Sequence, residues 1–136
     1  MLRKIAKILY LVGGIVSVVS VPSLFVAAVL CIVCCFSPNA LSYVRDWLIQ
    51  MYPVVNQIPA EPAYMTAVLI TCAVGMIISA GIILTNGILS FKAMNGASKP
   101  LAITTIVFGI LSDVGFSIAG GVLSIIAHVR ENRNIV

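Results

Sequence analysis

Charge is what this chain has least of. Its 136 residues hold eight Lys or Arg, four Asp or Glu and one His, so only 9% are charged. A soluble domain carries about 25%, and a chain with a third of that has too little polar surface to face water. No run of Lys and Arg exceeds two residues, which excludes the clustered basic footprint of a nucleic-acid binder. With one histidine and no nearby ligands for the cysteines at 31, 34, 35 and 72, a metal site lacks its usual donors. There is no HExxH, no Gly-rich phosphate loop followed by Lys, and no nucleophile beside a base. Asp113-Val114-Gly115 is not a paired-aspartate arrangement. The expectation is a non-enzymatic protein with no catalytic residue, no metal and no cofactor.

What the chain does have is apolar length. It is 61% hydrophobic, with a mean hydropathy of +1.16. The expected fold class is an all-α integral membrane protein: a single helical membrane domain over 1–136, with transmembrane helices near 6–36, 63–91 and 100–127. A short amphipathic surface helix is expected near 38–52, between the first and second spans. In the first stretch, Gly13, Gly14, Ser17 and Ser20 form a small-residue face. Pro22 cannot donate a backbone hydrogen bond and predicts a kink. Ser37-Pro38 reads as an N-cap and first helical turn. Leu41, Val44, Leu48 and Met51 follow on one face, Tyr43, Trp47 and Tyr52 suit headgroup level, and Pro53 ends the pattern. Cys31, Cys34 and Cys35 are expected to pack as small apolar residues.

The third stretch, 101–127, carries one charge, Asp113, near its centre. Every fourth residue from Thr105 is small or polar: Thr105, Gly109, Asp113, Ser117, Gly121. On one helix these share a slowly drifting face that another helix can approach closely. The second stretch has a similar stripe at Thr71, Gly75, Ser79 and Gly87, with Asn86 as its most polar residue. The short connection after Lys92, with its Asn95-Gly96 turn, makes the two stretches an antiparallel hairpin. The expected contact sets Gly75 and Ser79 against Gly109 and Asp113. A carboxylate at the bilayer centre costs at least about 2.5 kcal/mol and needs a reason. Three are open: a protonated hydrogen-bond donor, a link to a partner's cation, or an ion or proton site.

With three spans and a cytoplasmic N-terminus, five basic residues lie inside (Arg3, Lys4, Lys7, Lys92, Lys99) and three outside (Arg45, Arg130, Arg133). Breaking the third stretch at Asp113-Val114-Gly115 would make the count seven against one. Each half would then have only about 13 residues, too short to cross, so three spans are retained.

The layout runs from a basic start through one span and an outer amphipathic segment to a hairpin with a Lys-bearing turn. With KPLAITTIVFGILSDVGFSIAGGVLSIIAHVRE it resembles small uncharacterised membrane proteins of Gram-positive bacteria. That resemblance implies a bacterial plasma membrane location and carries no activity; a charged third helix departs from it. The expected function is a small accessory or structural subunit of a larger membrane complex. Its partners would be lipid and other membrane subunits or copies of itself, with no nucleic acid. The alternative is a homo-oligomeric, holin-like pore or an ion- or proton-coupled transport component using Asp113.

Overall fold

The computed structural model describes residues 1–133, so the last three residues of the polar tail lie outside the described residues. All regular structure among them is helical: α1 (Leu2–Cys34), α2 (Pro38–Met51), a 3-10 turn (Pro53–Gln57), α3 (Pro62–Met94), α4 (Lys99–Leu111) and α5 (Gly115–Arg133). The chain divides into two compact units, one of residues 1–22 and 79–136, the other of 23–78. α1 and α3 contribute to both. α1 continues as helix through Pro22, and the division between units falls directly after that residue.

Two helices are long and apolar enough to cross a membrane: α1 and α3, each of 33 residues. Three were expected, and the third is overturned by a single backbone conformation. Asp113 has φ 55°, in the left-handed region, and ends α4. The Val114 N–H donates to the Gly109 carbonyl at 2.9 Å and the Asp113 N–H to the Ile110 carbonyl at 3.3 Å. This is the six-to-one and five-to-two pattern of a Schellman helix end, with aspartate where glycine usually stands. Aspartate tolerates that conformation better than most side chains. α5 begins two residues later, at Gly115, and packs back along α4 as an αα-hairpin. The two halves need not cross, because they return to the end they started from. The length needed to cross a bilayer therefore does not limit either half.

Small residues permit the close approach within this hairpin. A Cβ on Gly121 would lie 2.8 Å from the Ala102 carbonyl oxygen, and one on Gly109 would lie 2.8 Å from Ile118. The Thr105-to-Gly121 stripe thus folds upon itself. Gly109 meets α5, and a Cβ on Gly75 would meet nothing within 4 Å. Ser79 is exposed.

At the other end of the hairpin, the Arg3 guanidinium pairs with the Glu131 carboxylate, joining the start of α1 to the end of α5. In this unit Arg3, Lys4, Lys7, Lys92, Lys99, Arg130 and Arg133 all lie at or near the helix ends gathered there. In the second unit Ser37 Oγ caps α2 by accepting from the Ala40 N–H, at 3.4 Å. Leu41 is buried with Met65 and Leu69, and Cys31, Cys34, Cys35, Val44 and Leu48 pack around them. Tyr43, Trp47, Met51 and Tyr52 are exposed.

The hairpin makes two expectations concrete. Gly121→Ala forces a methyl against a backbone oxygen and should destabilise the protein by about 1–3 kcal/mol, the usual range for overpacking. Gly75→Ala meets open space and should be neutral or slightly stabilising, since alanine is the better helix former; unfolding in mixed detergent micelles compares the two. The second concerns sidedness. In a background with the native cysteines replaced, Lys4→Cys and Arg133→Cys should react with an impermeant thiol reagent from the same side of sealed vesicles. Three spans would place them on opposite sides.

Candidate functional site: an inward polar cluster and an outward carboxylate

The first unit inverts the usual distribution of side chains. Its fully buried residues include Ser17, Asn86, Ser90, Thr105 and Ser117, all at 0% exposure. Among its exposed residues are Ile8, Ile15, Val19, Ile88, Val107, Ile110 and Leu111. In a water-soluble domain the aliphatic residues would be the buried ones.

The polar cluster joins four helices. Asn86 of α3 donates from Nδ2 to Ser17 Oγ of α1 at 3.1 Å and to Ser117 Oγ of α5 at 3.0 Å. Ser90, one turn further along α3, lies 2.9 Å from Ser117 Oγ, and either hydroxyl is able to donate. Tyr10 OH and Thr105 Oγ1 lie 3.4 Å apart, and Thr105 also donates to the Ala102 carbonyl at 2.8 Å. Asn86 Oδ1 is buried without a hydrogen-bond partner. Turning the amide would only exchange which end is left over.

Glycines set the distances. A Cβ on Gly13 would meet Ser117 Oγ at 2.7 Å, one on Gly87 would meet Ser17 Cβ at 3.1 Å, and one on Gly120 would touch the Tyr10 ring at 3.0 Å. Hydroxyl and amide groups reach one another across helices because backbones with no side chain between them approach so closely.

Of the residues singled out from sequence, Asn86, Ser117 and Thr105 are in this cluster, and Gly109 and Gly121 line the α4–α5 contact. Ser79 and Gly75 take part in neither. Asp113 lies at the tip of the hairpin, exposed, and its carboxylate has no hydrogen bond or ion pair among the described residues. Sequence reasoning passed over Tyr10 and Ser90 and took Ser17 only as a small residue. The available signal was spacing: Ser90 follows Asn86 by one helical turn, and Tyr10, Gly13, Gly14 and Ser17 share a face of α1.

Among the described residues no three of His, Cys, Asp and Glu come together as a metal site. The cysteines are free thiols, three half-buried and Cys72 exposed. No family model, curated protein or solved structure matches the chain.

The cluster predicts an asymmetry between two polar residues of α3. Asn86→Ala removes two interhelical hydrogen bonds, each about 0.6 and at most about 1.7 kcal/mol in a membrane, and leaves a void. A loss of about 1–3 kcal/mol in unfolding free energy is expected. Ser79→Ala should shift the same measurement by under about 0.5 kcal/mol, as exposed substitutions do.

Proposed function

We propose that this protein is a non-enzymatic subunit of a membrane complex, anchored by α1 and α3, that docks on another membrane chain through the tip of its α4–α5 hairpin. Membrane insertion is supported by the inverted first unit, with hydroxyls and an amide inside and aliphatic side chains outside. We infer that the basic end faces the cytoplasm. Seven of the eight Lys and Arg residues belong to the first unit and gather at that end, while Arg45 belongs to the second, and such an imbalance orients membrane proteins.

The observation that carries the docking role is the position of Asp113. α4 has 13 residues, so the tip lies about 20 Å from the basic end, inside a hydrocarbon core about 30 Å thick. Irregular backbone at that depth is tolerated where protein covers it. An exposed carboxylate at that depth calls for a partner, and the described residues offer it none. A Lys or Arg on a neighbouring membrane helix supplies both the charge and the cover.

Asp113→Asn tests this cleanly. Asparagine adopts the left-handed conformation at least as readily, so the hairpin is kept while the charge is lost. Stranding a partner's cation costs about 3–5 kcal/mol, so a heteromeric complex seen by native mass spectrometry should fall apart while the variant chain stays folded. An intact complex in Asp113→Asn would remove the docking role. Proton flux from the wild-type chain alone in liposomes, abolished by the same change, would replace it with transport.

A further inference from the structure

The helix ends at the basic pole of the first unit line a half-open cavity of about 340 Å³. Its walls include Arg3, Lys4, Lys7, Tyr10, Ser124 and His128, with the α3–α4 turn closing one side. We propose that this cavity binds a net-anionic phosphate headgroup, whether on a lipid or as the free ion. The inference is independent of the role given to Asp113.

Cations are expected here for two ordinary reasons, and neither covers Lys4 and Lys7. Lys92, Arg130 and Arg133 lie in the last turns of α3 and α5, where the carbonyl ends of the helices favour positive charge. Lys4 lies in the first turn of α1, a helix end that is already positive and has no acid, and Lys7 follows one turn later. The preference for cytoplasmic Lys and Arg would be met equally well by residues outside the cavity. Arg3 is half-neutralised by Glu131, the only ion pair among the described residues. Two lysines therefore face the cavity without an acid, at the helix end that stabilises anions.

The remaining walls fit the same ligand. Tyr10 is buried, its ring lies against Gly120, and it closes the inner end. His128 Nδ1 lies 2.9 Å from the Ser124 carbonyl. A carbonyl only accepts, so that nitrogen carries a proton and the ring is held by one edge. The volume lies at the lower end of small-molecule sites, roughly 300–1,000 Å³, suited to a headgroup and too small for a large metabolite. With α1 and α3 across the bilayer, the cavity opens at headgroup level.

The full chain, purified in mild detergent, is offered equal amounts of phosphatidylglycerol and phosphatidylcholine, and retained lipid is read by native mass spectrometry. The parent should prefer phosphatidylglycerol. Lys4→Gln with Lys7→Gln should reduce that preference on the order of tenfold or more. Lys4→Arg with Lys7→Arg should keep it. Lys99→Gln with Arg133→Gln removes the same net charge from residues that do not line the cavity and should change it by less than about twofold, since charges held in solvent are screened. Equal loss in both Gln pairs, or no preference in the parent, would overturn the proposal. Titration with inorganic phosphate separates the sources: displacement of the lipid shows that the free ion is accepted, and retention shows that the acyl chains belong to the ligand. Thermal melting of each variant confirms that loss of binding is not loss of fold.

Discussion

The left-handed turn at Asp113 does more for the first unit than any other feature. An apolar stretch of 27 residues would extend as one helix if each residue kept α-helical dihedrals. One positive φ, with two hydrogen bonds that satisfy the carbonyls of Gly109 and Ile110, reverses its direction. From that reversal follow the α4–α5 contact, the return of α5 to the start of α1, the Arg3–Glu131 pair and the gathering of basic residues at one end. It also sets Ser117 where α1 and α3 meet it, so the polar cluster depends on it too.

The interior of this unit is assembled from the residue types that bury poorly in water. Where lipid surrounds a protein, aliphatic burial offers little, since the acyl chains are equally apolar. Close packing and hydrogen bonding then hold helices together. Asn86 joins α1 and α5 through its amide, and Ser90 completes the contact on Ser117. Gly13, Gly87 and Gly120 lie where a methyl group would press on these same partners. The cluster is thus one device: absent side chains bring backbones close enough for short polar side chains to meet. The second unit uses ordinary apolar packing of Leu41 against Met65 and Leu69, as suits a helix with a polar outer face.

The chemistry left outside that interior is concentrated at two places. Among the described residues, the basic pole has a cavity with two lysines that no acid neutralises. Among them too, the hairpin tip has a carboxylate that no cation neutralises. Both are charges presented outward by a unit whose other polar side chains are largely gathered inside.

The sequence by itself determined the helical class, the two long apolar segments, the capped α2 with Leu41, Val44 and Leu48 on one face, and the small polar residues of interest on α4 and α5. These are local matters: hydropathy over some 20 residues, periodicity near 3.6, and a serine before a proline are all read within a few turns. It did not determine which faces meet. The stripe from Thr105 to Gly121 was taken to face α3 because it was drawn on one continuous helix. The structure breaks that helix at its midpoint, and the two halves face each other. The break was visible in the letters Ser112-Asp113-Val114-Gly115, but its preference is small beside the hydropathy of 27 residues. Only tertiary contacts, Gly121 on Ala102 and Ser117 on Asn86, make the reversed chain the better-packed one. Likewise Ser79 and Asn86 look alike in one dimension. Neighbours on two other helices decide that one is exposed and the other is the centre of the buried network.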